Sequence, residues 1–441
     1  MSDTPRRALG ANYWKLWIAS VISNFGDGVA LIAYPWLASA VTRSPLQIAL
    51  VGVATRLPWL IFTLPAGVIT DRADRRRLVV VMDAIRALIT VGVAAVVLVN
   101  QGILPTPEQI EAADFAPIAN SGILLGTLYV SALLLGMAEV LRDNGAQTLM
   151  PAVVDKSQLE KANGRLWGAE MVMNSFVGPP LGGLLLAVAF SLPFFIDSVT
   201  FAVSAALLAA LTGSFRPSGE TRASFRTDLK EGFRWLWNHQ LLKRFAIVLG
   251  LINASSAATT ATLVLFGQEV LQVDAAGFGL LMSAGAAGGV LGSLAAAPFT
   301  KRLGSGSTIM FTLVSSAVTS LVIGLTSSAV VVWIMFAIMA FGGVMWNVVT
   351  VSLRQTIIPD RLLGRVNSVY RFFGWGMMPI GLFIGGALVA VVATLSSREG
   401  GLRSPFFVAA VLQAFLAVYA IGRLGTRQIE AAREAAGPAS Q

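Results

Sequence analysis

The chain contains no cysteine and a single histidine, His239, in 441 residues. Without a thiol there is no disulfide framework, thiolate nucleophile or cysteine metal site. One imidazole leaves too few ligands for zinc, so no metal or cofactor is expected. His239 lies in a basic loop and reads as a solvated side chain. Charge is scarce as well. Asp, Glu, Lys and Arg make up 12% of the chain, against about 25% in ordinary soluble domains. No G-x-x-x-x-G-K-S/T loop is present, which removes a built-in ATPase. No polar domain groups His, Asp and Ser, so an enzyme is not expected. Met1–Gly10 lacks the apolar core and cleavage site of a signal peptide, and the apolar span from about Tyr13 is expected to stay as a membrane helix.

What the chain does have is apolar length, with 55% of its residues hydrophobic. About 20 apolar residues cross a bilayer core as a helix. On that measure spans are predicted at 13–38, 46–69, 78–99, 121–141, 165–190 and 193–212. A second set follows at 243–267, 276–299, 307–326, 329–352, 368–393 and 404–422. The fold class is therefore an all-α membrane protein of 12 transmembrane helices. The predicted organisation is an N-terminal half over 1–212, a linker over 213–242, and a C-terminal half with a tail over 243–441. The net charge of +9 lies in short loops between spans and reads as topology-setting charge, not as a nucleic-acid surface. With both termini inside, only Arg43, Arg398 and Arg403 fall in outside loops, while the outside loop Gln101–Asn120 carries Glu108, Glu111 and Asp114. That bias predicts a bacterial cytoplasmic membrane protein with cytoplasmic termini.

The two halves read as copies. Gln147-Thr-Leu-Met-Pro151 returns as Gln355-Thr-Ile-Ile-Pro359, and Asn163 has a counterpart in Asn367. Gly182-Gly183 matches Gly385-Gly386, and Pro193-Phe-Phe matches Pro405-Phe-Phe. Parallel repeats of this kind build two halves that rock about a central site.

Between spans 2 and 3 the chain reads Gly67-Val-Ile-Thr-Asp71-Arg72-Ala-Asp74-Arg75-Arg76-Arg77. Its G-x-x-x-D-R-x-D-R-R spacing resembles the signature loop of the major facilitator superfamily. The resemblance implies a cytoplasmic gate of Gly67, Asp71, Arg72, Arg75 and Arg76, with Glu139, Arg142 and Asp143 at the end of span 4 as partners. Ala297-Pro-Phe-Thr-Lys301-Arg302 occupies the same place in the second half without the Gly and Asp, so the gate is expected to be one-sided. Gly178-Pro179-Pro-Leu-Gly182-Gly183 resembles the motif that antiporters of the superfamily carry on span 5. The Ile196-Asp197-x-x-Thr-Phe201 run and the linker wording resemble the bacterial branch of enterobactin and macrolide or multidrug exporters.

Asp27 is the sharpest single candidate. It lies about 20 Å along span 1 from Trp14, near the midplane. An Asp there costs roughly 2.5–3.5 kcal/mol on insertion scales, so it is expected to face a cavity and take up a proton. Arg56 on span 2 has a similar depth, and an Asp27–Arg56 pair released by protonation is the expected coupling device. Asp83 and Arg86, three residues apart on span 3, can satisfy each other and read as structural. Asn24, Glu170, Asn174, Asn253, Asn347 and Arg371 are candidates for the substrate cavity, and Asp197 is expected near the outer interface. The linker segment Thr227–Trp237 is amphipathic and is expected to lie along the inner membrane face. The function implied is proton-coupled export of hydrophobic or amphipathic small molecules by a monomer, with protons, substrate and the bilayer as its partners. A lysophospholipid flippase, an importer or a non-transporting sensor on the same fold are the alternatives.

Overall fold

A computed structural model describes residues 9–435, apart from 63–64, 67–68, 71–72, 107–108, 111–117, 119–120, 214 and 216–224, and apart from the side chains of 156, 225–228 and 360. Among the described residues no strand occurs. The first set of helices is α1 (Ala11–Val41), α2 (Pro45–Ile61), α3 (Arg75–Val99), α4 (Ser121–Val153), α5 (Leu159–Val188) and α6 (Leu192–Ala209). The linker helix is α7 (Phe225–Asn238). The second set is α8 (Gln240–Thr260), α9 (Leu263–Glu269), α10 (Ala275–Met282), α11 (Ala284–Leu303), α12 (Ser305–Leu325), α13 (Ala329–Ile357), α14 (Asp360–Leu395) and α15 (Arg398–Ala420), followed by α16 (Thr426–Ala435). Eleven helices, or helix pairs joined end to end, are long and apolar enough to cross a membrane. The shorter α2 resumes as helical turns at 65–66 and 69–70, within the expected second span.

The elements depart from the apolar runs in ways that chemistry explains. Helix α4 continues to Val153, well past the apolar segment, because Arg142 and Asp143 find internal partners. The seventh span breaks at Ala261–Thr262 into α8 and α9, and the eighth breaks at Ser283 into α10 and α11. Within α5, Val172–Val177 form a π-helical stretch directly before Gly178-Pro-Pro. Pro179 and Pro180 have no N–H to offer the preceding turn, and the widened turn accommodates the loss. Helix α7 is not isolated from the bundle, being packed on α14. Gly232 sits on the backbone of Arg365 in α14, Glu231 pairs with Arg365 and with Arg361 at 3.6 Å, and Phe233 and Trp237 stack on Phe373. His239 is not simply solvated either. Its Nδ1 accepts from Leu242 N at 3.3 Å and caps α8, and burial pushes its imidazole below the usual range, toward the neutral form that can accept.

Helix pairing follows the internal repeat. In the first set α1 packs on α5 and α6, α3 on α4 and α6, and α2 on α4. In the second set α8 packs on α14 and α15, α12 on α13 and α15, and α11 on α13, which is the same pattern. The matched glycines do matched work. Gly178 and Gly182 bring α5 against Gly28 and Val29 of α1, while Gly381 and Gly385 bring α14 against Ala254 and Ala258 of α8. This four-residue spacing of small residues lets backbones touch where lipid offers no hydrophobic drive. The second glycine of each pair crosses to the other set: Gly183 meets Ala275 of α10, and Gly386 meets Ala49 of α2. The two bundles thus join along α5–α10 and α2–α14.

Core packing differs between the two ends of the molecule. At the end away from the termini one cluster draws on both bundles, with Trp36, Leu37 and Ile48 beside Phe266, Phe278 and Phe406. At the end bearing the termini the cores separate, one around Tyr13, Leu149 and Leu208, the other around Phe245, Trp346, Leu362 and Leu424. A polar clasp reinforces the joined end. Glu269 pairs with Arg43 from the first bundle and with Arg398 at 2.8 Å, whose Nη2 also donates to the Arg43 carbonyl at 2.8 Å. Beside it Gln268 accepts from Arg43 Nη1 at 2.6 Å and donates to Ser39 Oγ at 2.8 Å. The bundle is therefore sealed at one end and divided at the other.

Two outcomes are expected. A valine at Gly183 or Gly386 overpacks the contact between bundles, which costs about 1–3 kcal/mol. Thermal unfolding of the purified variants checks this, against Gly168→Ala, whose new Cβ meets nothing within 4 Å. Replacing Glu269 by Gln should open the sealed end. Because the chain has no native cysteine, a single Ser39→Cys probe reports this as faster modification by a membrane-impermeant maleimide in the Glu269→Gln background.

Candidate functional site

The interior of the first bundle holds a connected set of charges. Asp27 comes from α1, Asp83 and Arg86 from α3, and Arg142 and Asp143 from α4. Arg86 Nη2 donates to Asp27, and Arg86 Nη1 donates to Asp83 at 3.4 Å and to Ser23 Oγ at 3.3 Å. Its guanidinium lies 3.8 Å above the Phe201 ring of α6. Arg142 lies 3.6 Å from the same Asp83 oxygen, Oδ1, 3.4 Å from Asp143 and 3.5 Å from Ser20 Oγ. Ser204 of α6 donates to Asp83 Oδ2 at 2.6 Å. Asp83 is thus held by two arginines and a hydroxyl, which offsets the cost of removing it from water.

Exposure divides these groups by role. The side chains of Asp83 and Arg86 are 0% and 3% exposed, whereas that of Asp27 is 27% exposed. Asp27, like Asp143 at 33%, can be reached by water or a solute while its arginine partner stays inside. Here the sequence expectation needs correction. Asp27 pairs with Arg86, not Arg56, which acts instead on Glu139. Arg86 and Asp83 do not simply satisfy each other, because each has a second partner on another helix. Arg86 was the hub that the i,i+3 spacing hid. Its guanidinium carries more donors than one carboxylate can use, and that surplus was the available signal.

The gate residues divide too. Gly67, Asp71 and Arg72 lie outside the described residues. Asp74 caps α3 by accepting from Arg77 N at 3.0 Å. Arg75 donates to the Thr148 carbonyl at 3.1 Å and Arg76 to the Leu211 carbonyl at 2.7 Å, near the ends of α4 and α6. These arginines tie the start of α3 to carbonyls toward the C-terminal ends of α4 and α6, where cations are favoured. Among the described residues neither is bonded to Glu139 or Asp143, and Arg142 and Asp143 take part in the interior network. Asp197 is likewise not at an interface. It is 1% exposed and packs against Gly26, next to Asp27.

The cavity candidates scatter. Glu170 lies within Coulombic range of Arg142, Asp143 and Asp27, and Asn174 sits in the π-helical stretch with its carbonyl against Gly28. Asn24 donates to Ser20 O within its own helix, and Asn347 does the same to Gly343 O. Asn253 donates to Gly374 O at 2.8 Å and ties α8 to α14, while Arg371 is exposed. In the second bundle the polar interior is neutral. Ser320 donates to Gln413 at 3.2 Å and Gln413 to Ser255 at 3.0 Å, on the helices that repeat α3, α6 and α1. Charge is therefore concentrated in one bundle of a doubled scaffold.

Two repeated bundles that meet along glycine-lined seams, joined at one end and parted at the other, have the architecture of a multi-span membrane transporter. Residues 10–424 match the family described as transmembrane secretion effector, and the chain belongs to that family, within the major facilitator superfamily. It is 26% identical over 435 residues to the multidrug efflux pump Tap of Mycobacterium tuberculosis (strain ATCC 25618 / H37Rv), covering 95% of this chain and 94% of that one. It is 23% identical over 387 residues to the enterobactin exporter EntS of Escherichia coli O1:K1 / APEC, covering 87% and 86%. Among solved structures, a bacterial homologue of the human lysosomal transporter Spinster, inward-facing and unoccupied, superposes with a TM-score of 0.71 at 14% identity, covering 98% and 99%. A bacterial homologue of the iron transporter ferroportin, also inward-facing, gives 0.66 at 18% identity, covering 93% and 100%. At those identities the likeness is one of fold.

Removing Arg86 leaves Asp27 without its cation and Asp83 with Arg142 and Ser204 alone. Breaking a buried pair in this way costs roughly 3–5 kcal/mol. Arg86→Met should therefore lower the melting temperature in detergent markedly, and the double variant Arg86→Met/Asp27→Asn should recover part of that loss.

Proposed function

We propose that this protein exports hydrophobic or amphipathic small molecules across a bacterial cytoplasmic membrane in exchange for protons. The observation that carries the reading is Asp27: an acid at mid-membrane depth, partly exposed, whose cationic partner Arg86 is fully enclosed. Such a carboxylate can be reached by a proton from the open side, and protonation removes its attraction to Arg86. Relatives named as a multidrug efflux pump and an enterobactin exporter support the export direction.

Residues 1–212 and 243–441 are the two moving bodies, with 213–242 as the link between them. The end bearing the termini faces the cytoplasm, as the Lys/Arg bias requires. In the arrangement described, substrate enters from that side while the Glu269 clasp and the shared aromatic core close the other. Glu170, Asn174 and Asn24, near Asp27, form the polar part of the substrate path. The loop from Gly67 to Arg76 closes the cytoplasmic side in the opposite state. Binding shifts the balance of the two states only through contacts that differ between them, and the Asp27–Arg86 pair is such a contact.

The test is reconstitution in proteoliposomes with an imposed pH gradient and a panel of drugs, siderophores and lysolipids. Wild type should accumulate at least one compound against its gradient and move protons when it is added. Asp27→Asn should abolish uphill transport while leaving substrate binding within a few-fold. Unchanged pH-driven transport by Asp27→Asn would sink the reading.

A further inference from the structure

Asp197 is buried on α6 without a cation of its own. It makes no ion pair among the described residues, and its carboxyl contacts only Thr200 Oγ1, at 3.4 Å. That hydroxyl has one hydrogen, and it already donates to the Asp197 backbone carbonyl at 2.7 Å. With that hydrogen engaged, Thr200 gives the Asp197 carboxyl only a long contact and no charge to balance an anion. Tyr34, the other hydroxyl near it, is also engaged and donates to Ser131 Oγ at 3.0 Å. The groups that face Asp197 are Asp27 and Tyr34 from α1 and Arg86 from α3, and the Gly178–Val188 part of α5 brings no titratable side chain. Gly26 leaves the space, since a Cβ there would collide with Asp197 Oδ1 and Thr200 Oγ1.

Charge counting points the same way. Arg86 already serves Asp27 and Asp83, and Arg142 serves Asp83 and Asp143. An ionised Asp197 would add a buried carboxylate with no cation left for it, at a cost of several kcal/mol. Arg86 nevertheless keeps one buried N–H, at Nε, with no partner. Arg86 thus keeps an idle donor while Asp197, within its Coulombic reach, has no cation of its own.

We propose that Asp197 is a second proton-carrying group, and that Arg86 exchanges partners between Asp27 and Asp197. In the arrangement described, Asp27 is the anion paired with Arg86 and Asp197 is the neutral acid. In the exchanged arrangement the O–H bond on Asp197 breaks and one forms on Asp27. Arg86 then turns to the Asp197 carboxylate. One proton and one ion pair move in opposite directions and net charge is conserved. The outward-accessible and inward-accessible forms of the bundle differ in which acid carries the proton. This inference rests on the proton-coupled reading above, and it assigns the position of a resident proton within it.

Infrared spectroscopy of the purified protein in lipid nanodiscs at neutral pH tests it. Protonated carboxylic acids give a C=O stretch separate from that of carboxylates. Asp197→Asn, which keeps shape and neutrality, should remove one group's worth of that band. Asp27→Asn should also diminish it, because Arg86 freed from Asp27 draws Asp197 into the ionised form. A full band in Asp197→Asn overturns the proposal, and a full band in Asp27→Asn overturns the partner exchange. Proteoliposomes that move substrate without protons would overturn the export mechanism while leaving the infrared result intact, so the two failures are distinguishable.

Discussion

Arg86 is the constraint around which the first bundle is arranged. A guanidinium cannot be deprotonated in a protein, so its charge must be answered wherever it is placed. Here it is enclosed by α1, α3 and α6, and the answer comes from Asp27, Asp83, Ser23 and the face of Phe201. Each partner then has its own demands. Asp83 recruits Arg142 and Ser204, and Arg142 recruits Asp143 and Ser20. The result is four helices tied through one network. No member can change charge without disturbing the others.

The second bundle shows what the same scaffold looks like without that task. Its helices pair in the same order and its glycines sit at the same contacts. Yet its polar interior is the neutral Ser255–Gln413–Ser320 chain. A neutral chain anchors helices without titrating. The repeat supplied two bundles, and the Asp27–Arg86–Asp83–Arg142 network lies in the first of them.

The seams and the clasp set how those bodies can move. Gly183 on Ala275 and Gly386 on Ala49 put backbone or small side chains directly across the seam, so little has to interdigitate or withdraw as the bundles rock. The closed end is secured differently, by aromatic packing and by Glu269 bridging Arg43 and Arg398. Apolar packing there supplies most of the contact area, while the charged clasp fixes the register in which the faces meet. The linker helix α7, gripped by Arg361, Arg365 and Phe373, travels with the second bundle.

The helical spans and the repeat were legible in the chain, because a bilayer enforces them locally: each helix must be long enough and apolar enough. Tertiary structure alone decided the partners. Arg56 and Arg86 are equally plausible mates for Asp27 by depth, but only the packing of α1 against α6, and of α6 against α3, places Arg86 beside it. The same packing drew Asp197 inward from its expected place at the interface and turned the outside arginines Arg43 and Arg398 into a clasp. Pair interactions act over a few ångströms between helices far apart in sequence. Depth along one helix is a one-dimensional property that the sequence states, whereas the facing of two helices depends on how every helix in the bundle packs.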